Sequence, residues 1–154
     1  MNRPVRKTIR IPGFDYATAN FYFITICTDN KRTIFGKPGQ LNSLGLIAES
    51  CILQIEKIYP GVRVDNYIIM PNHVHAIIVI DPLEDAPTLT NIVGCYKTAV
   101  TKQIRQIYPN IVVWQRSFYD HVIRNQKSYE KIWEYVQFNA QKWDEDDYYQ
   151  KMEV

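Results

Sequence analysis

The pair His73 and His75, separated by Val74, is the pattern in this sequence best suited to chemistry. Side chains of an extended strand alternate faces with a period of two, so both imidazoles point one way and Val74 the other. Two neutral imidazoles whose Cα atoms stand about 7 Å apart can chelate one divalent cation. The same spacing also suits two polar residues on a solvated face. The flanks bear on that choice, because Ile77 and Val79 continue the histidine face while Ile78 and Ile80 continue the other. Both faces are apolar beyond the start of the strand, which puts the histidines at the rim of a core. A three-histidine site would need His121, the one further histidine of the chain. A zinc protease is disfavoured, since its two histidines sit at i and i+4 on a helix beside a glutamate. No GxSxG elbow supports a serine triad.

Tyr135 and Asn139 form the second constellation. They are four residues apart in a segment with helical spacing and so share a face. A tyrosine in mid-helix serves as core or as nucleophile, and residue type alone favours core. Asn139 is mildly unfavourable inside a helix, which fits a polar task or a fraying end.

The elements that must carry these residues follow from patterning. Residues 21–28, FYFITICT, are aromatic and β-branched and predict a strand. A loop rich in Gly, Pro and charge follows over 29–40. Residues 43–59 predict a helix capped by Ser43 and stopped by Pro60-Gly61. Strands over 62–70 and 73–81 pair as an antiparallel hairpin through Met70-Pro71-Asn72, which is not a standard two-residue turn sequence. A helix over 89–108 comes next, then a strand pair or a strand and bend over 111–123. A last helix spans 128–143, capped by Ser128, with Tyr129, Ile132, Val136 and Trp143 on its packing side. The order β-α-β-β-α-β-α predicts an α+β fold of the ferredoxin-like, RRM-like kind. This is a mainly antiparallel sheet with helices on one face, its C-terminal helix carrying Tyr135.

Composition sets the outer bounds. A chain of 154 residues is expected to form one domain, residues 1–154, with a basic arm at 1–10 and an acidic tail at 144–154. The apolar share of 46% and charged share of 22% exclude disorder across the whole chain. No apolar run approaches the roughly 18 residues of a membrane span. The charged N-terminus lacks an apolar stretch behind it, so a secretory signal is not expected and a cytoplasmic location is. Cys27, Cys51 and Cys95 are scattered and read as small buried hydrophobes. The net charge of +2 decides little, but Arg3, Arg6, Lys7 and Arg10 concentrate positive charge in the arm. Such an arm fits a polyanion or a solubilising tail.

These pieces together resemble a known family. MPNHVHAIIVI, then a helix, then VVWQRSFYDHVIRN, then a helix with Tyr135-Val136-Gln137-Phe138-Asn139, is similar to the single-tyrosine HUH transposases. More narrowly it resembles the REP-associated tyrosine transposases, and PGFDYATANFYFITICTDNKRTIFG resembles that family's first strand and loop. The resemblance runs from about residue 9 to 146. It implies that Tyr135 is the nucleophile, attacking a backbone phosphorus of single-stranded DNA to leave a 5′-phosphotyrosine and a free 3′-OH. It implies that His73, His75 and Asn139 hold a divalent metal, Mg²⁺ or Mn²⁺. One departure is visible: the family often reads Asn-Pro after the tyrosine turn, and here Ala140 follows Asn139.

The implied ligand set brings no negative charge to the cation. Binding of Mg²⁺, which prefers hard oxygen ligands, is therefore expected to be weak until DNA phosphate completes the shell. Imidazole suits Mn²⁺, and affinity is expected to fall below about pH 6.5 as the rings protonate. The implied partners are DNA hairpins, contacted by Arg3, Arg6, Lys7, Arg10, Lys97, Lys102, Arg105, Arg116 and Arg124, with the chain a monomer or a homodimer. A non-catalytic single-stranded nucleic-acid-binding module on the same sheet is the alternative, although the RRM stacking motif is absent. A replication initiator or relaxase with the same chemistry is a third reading, usually larger than this chain.

Overall fold

The computed structural model describes residues 19–37 and 39–139. The arm residues Arg3, Arg6, Lys7 and Arg10, Trp143 and the acidic tail lie outside the described residues. The chain runs β1 (Asn20–Cys27), a short turn (Asp29–Lys31), β2 (Gly36–Lys37), β3 (Gln40–Leu41), α1 (Ser43–Ile58), β4 (Val62–Met70), β5 (His73–Ile80), α2 (Leu89–Ile104), β6 (Tyr119–Val122) and α3 (Gln126–Phe138). Four strands form one antiparallel sheet in the order β4-β5-β1-β6. The connection through α1 leaves a gap between β1 and β4 that β5 fills, and the connection through α2 steps over β1. These are two interleaved split βαβ units, the ferredoxin-like arrangement expected from the order of elements.

The helices do not share one face, as the sequence led us to expect. α1 and α2 cover one side, where Ile24, Ile26, Val74, Ala76, Ile78 and Ile80 meet Ala48, Ile52, Ile92 and Val100. α3 covers the other, where Phe21, Ile77, Val79 and Ile123 meet Tyr129, Trp133 and Val136. Each β5 residue is buried, because a helical layer lies on both sides of that strand. The alternation assigned to Ile77/Val79 against Ile78/Ile80 is thus an alternation between two cores.

Several local expectations shift. Asn42 caps α1 in place of Ser43, its side chain accepting from the Gly45 N–H at 2.9 Å. Asn125 caps α3 in place of Ser128, accepting from the Ser128 N–H at 2.8 Å, so that helix begins at Gln126. Asparagine and serine cap equally well, and in each case an extended asparagine precedes the first helical residue. α2 stops at Ile104 rather than at 108; a turn closes on the Ile104 carbonyl and Pro109 follows, which disfavours helix at the residue before it. Over 111–123 the structure shows the strand and bend of the two expected forms, not the strand pair. One bridge joins Trp114 to Thr28, Ser117 turns the chain with φ 72°, and β6 follows. Cys27 and Cys51 are buried as expected, but Cys95 is exposed.

Candidate active site

β5 places the two histidines as its period demands. Thr25 is the β1 partner of His75 and Cys27 the partner of His73, all on the α3 side of the sheet. Both imidazoles are buried, His73 at 0% and His75 at 1% exposed. Their Nε2 atoms face each other at 3.1 Å. The far side of each ring is held by a hydrogen bond: Nδ1 of His73 lies 2.7 Å from Oδ1 of Asn72, and Nδ1 of His75 lies 2.9 Å from Oγ1 of Thr25. Phe23 stacks on His75 with ring centroids 5.1 Å apart. The pair is therefore a fixed dyad with both Nε2 atoms converging on one point.

The unusual turn between β4 and β5 explains part of that rigidity. Asn72 sits at the hairpin tip yet is fully buried. The 28–35 segment folds over it, with Thr28 donating its N–H to the Asn72 carbonyl and sharing its hydroxyl proton between the Arg32 and Asn72 carbonyls, and Phe35 N–H donating to the Pro71 carbonyl. These outside partners replace the internal geometry that a standard two-residue turn supplies.

Tyr135 arrives on α3. That helix is pinned to β4 at a β-bulge between Val64 and Asn66, where the extra residue, Asp65, accepts from the Tyr129 hydroxyl at 2.7 Å. Asn66 Nδ2 donates to the Trp133 carbonyl at 3.1 Å. With Tyr129, Trp133 and Val136 in the core, Tyr135 falls on the flank of the helix that meets the histidines. Its Oη lies 3.4 Å from His75 Nε2, and its ring sits edge-on to Phe23 at 6.0 Å and to His75 at 5.3 Å. The residue stays 40% exposed, so the phenol is both ordered and open to a ligand.

Asn139, one turn further on, is 1% exposed. Together with Lys131, Glu134, Tyr135 and Phe138 it lines a cavity of about 270 Å³ along α3. The structure thus brings His73, His75 and Tyr135 into contact and sets Asn139 beside Tyr135. Among the described residues, no group of three His, Cys, Asp or Glu side chains converges as a metal site. His121 does not join the dyad; it is exposed on edge strand β6 opposite Phe23.

The basic residues divide. Lys97, Lys102, Arg105 and Arg116 line a groove of about 850 Å³ with Thr101, Trp114 and other residues of α2 and the 112–116 segment. That segment runs beside the histidine end of the sheet, since Gln115 N–H donates to the carbonyl of Cys27, the strand partner of His73. Lys97 has a framework task there. Its ammonium donates to the Gln115 carbonyl at 2.8 Å and the Ser117 carbonyl at 2.9 Å, and burial pulls its pKa below the usual lysine value. Arg124 does not line the groove; it is exposed just before the α3 cap. Sequence reasoning missed Thr25, Asn72, Phe23 and Lys131. Register against the HVH strand could have flagged Thr25 and Phe23, and the i−4 spacing from Tyr135 could have flagged Lys131.

Comparison with known proteins decides the family. The family described as "Transposase IS200 like" matches residues 18–139, the whole of the sheet and helices just described. The chain belongs to the IS200-like transposase family. A *Haemophilus influenzae* relative named as an uncharacterized protein is 38% identical over 167 aligned residues, covering 94% of this chain and 93% of that one. Among solved structures, a REP-associated tyrosine transposase bound to a REP hairpin shares the fold. It has a TM-score of 0.60 and 21% identity over 92% of this chain and 74% of its own. A putative transposase from *Deinococcus radiodurans* R1 also shares it, with a TM-score of 0.51 and 16% identity over 83% of this chain and 95% of its own. No helix among the described residues is long and apolar enough to cross a membrane.

Proposed function

We propose that this IS200-like transposase is of the REP-associated kind. In this reading it cuts and rejoins single-stranded DNA at hairpin sites, with Tyr135 as nucleophile. The observation that carries the reading is the meeting of Tyr135 Oη with the histidine dyad, 3.4 Å from His75 Nε2 in a chain whose two Nε2 atoms converge at 3.1 Å. In the reaction the phenolic oxygen forms a bond to the backbone phosphorus as the P–O3′ bond breaks. The phenolic proton ends on the released 3′-oxygen. The 5′-phosphotyrosine conserves the ester, so a later 3′-OH can reverse the step without a nucleotide cofactor.

The residues present fit a divalent cation such as Mg²⁺ or Mn²⁺. The two Nε2 atoms face each other at 3.1 Å, close enough for both to bind one ion. Both Nδ1 atoms are hydrogen-bonded on the far side, as metal-binding imidazoles generally are. His73 and His75 would hold the ion, with the Asn139 amide as third ligand. An ion held there would supply a Lewis acid for the scissile phosphate and its leaving oxygen. This matters because phenol, with an ordinary pKa near 10, is a weak nucleophile at neutral pH. Phe23 and the sheet beneath fix the Tyr135 ring for attack. Lys131, Lys102, Arg105 and Arg116 are suited to backbone phosphates, which position a strand without reading its sequence. The hairpin as ligand is supported by the fold shared with the REP-hairpin-bound transposase.

The test is a covalent-adduct assay with labelled single-stranded hairpin oligonucleotides, Mn²⁺ or Mg²⁺, and denaturing gels. A metal-dependent adduct carrying the DNA 3′ of the cut, absent in Tyr135→Phe, is the expected result. Tight hairpin binding without any adduct, in wild type as in variant, overturns the catalytic reading in favour of a binding module.

A further inference from the structure

We infer that Asn72 is a positioning residue for the histidine dyad, locking His73 in the tautomer protonated on Nδ1 so that the Nε2 lone pair faces His75. The inference rests on the cation reading above for its purpose, but its geometry stands on the hydrogen bonds of the chain itself. Asn72 Nδ2 donates to the Lys31 carbonyl at 3.2 Å. A carbonyl only accepts, so the amide nitrogen must face Lys31 and the amide oxygen must face His73. That oxygen in turn only accepts, so the ring nitrogen 2.7 Å away, Nδ1, must carry the proton. In the neutral ring Nε2 is then unprotonated, and it is the atom 3.1 Å from His75 Nε2.

The Lys31 carbonyl is itself aimed by an uncommon backbone. Asn30 and Lys31 both adopt left-handed conformations, with φ of 53° and 52°. Such angles are sparsely populated for residues with a Cβ and gather at functional sites. The relay therefore runs from a left-handed turn, through a buried amide, to one face of one imidazole. The other histidine lacks this constraint on its Nδ1 side, because the Thr25 hydroxyl can donate or accept. Asn72 also helps hold the turn, and the part of that role carried by its backbone carbonyl, which accepts from the Thr28 N–H, survives loss of the side chain.

The test uses the full chain, ¹⁵N-labelled on histidine, without metal or DNA, at about pH 8 where free imidazole is neutral. Long-range ¹H–¹⁵N correlation is expected to show His73 with Nδ1 protonated and Nε2 pyridine-like. Asn72→Ala is expected to lose that lock. Mn²⁺ affinity, read from the paramagnetic resonance of free Mn²⁺, is expected to fall about 10–100-fold in Asn72→Ala. A wild-type ring protonated on Nε2 overturns the inference, and needs no variant to fold. So does an Asn72→Ala protein with unchanged tautomer and Mn²⁺ affinity. Failure of variant and wild type alike to bind Mn²⁺ overturns the cation reading instead, while the ring spectrum still decides the tautomer.

Discussion

Tyr135 Oη lies 3.4 Å from His75 Nε2 across 60 residues of sequence. α3 delivers it from the sheet face that α1 and α2 leave uncovered, so the two cores have different tasks. One holds the sheet, and the other holds the tyrosine against it. Tyr135→Phe keeps the ring contacts with Phe23 and His75 and removes the hydroxyl. The residue is partly exposed, so stability should change by no more than about 0.5 kcal/mol. Covalent adduct should vanish while thermal unfolding and hairpin binding stay near wild type, measured on the same preparations.

The tyrosine reaches the dyad of its own chain. Tyrosine and dyad here belong to one chain, and the proposed reaction needs no helix from a second subunit. Mixing Tyr135→Phe with His73→Ala should therefore restore no cleavage above either variant alone. Adduct formed only in the mixture, detected on denaturing gels, would mean that helices are exchanged between subunits.

The bulge at Asp65 docks the helix that carries Tyr135. Its carboxylate is buried, accepts from Tyr129, and pairs with Arg63 at 3.3 Å. Tyr129→Phe removes one charge-assisted hydrogen bond to a buried carboxylate, a loss of about 1.5–3 kcal/mol. Urea unfolding should show that loss. Because the bond docks α3, the rate of adduct formation should drop more than hairpin affinity does.

Much of this was legible in the sequence, for reasons that particular residues show. The period of two in HVHAIIVI is a backbone property, so the shared face of His73 and His75 followed directly. The order of strands and helices restricted topology to a split βαβ sheet. The side on which α3 packs was not legible, since it depends on the bulge at Asp65 and on Phe21, Ile77 and Val79 forming a second core. β5 reads as apolar on both faces, which is equally compatible with one thick layer. Asn72 was hidden for a similar reason: an asparagine after proline reads as an exposed turn, and only the 28–35 segment folding over it makes it buried. Lys97 read as a surface cation because its two carbonyl partners lie 18 and 20 residues away.

Alkaline pH should loosen the α1–α2 layer first. Tyr96 is 3% exposed and its hydroxyl donates to the Ala48 carbonyl at 2.9 Å, tying α2 to α1. Burial pushes its pKa well above the ordinary phenol value of 10.0. Below about pH 10 the phenol is neutral in both folded and unfolded chains, and its contribution is fully present. Above that, the unfolded phenol ionises while the folded one resists, so the unfolded state releases protons and stability falls. The slope for one such group approaches about 1.4 kcal/mol per pH unit. Cys51, raised from 9.0 chiefly by burial and lowered again in part by its bond from Gln103, acts in the same direction from a lower starting point. The decline should thus begin with the thiol and steepen in the phenol range. Tyr96→Phe should cost about 1 kcal/mol at pH 7 through the lost hydrogen bond, and flatten the fall between pH 10 and 11. Urea unfolding at pH 7, 9, 10 and 11 on both proteins checks this, and parallel curves for the two would show that Tyr96 is not the group responsible.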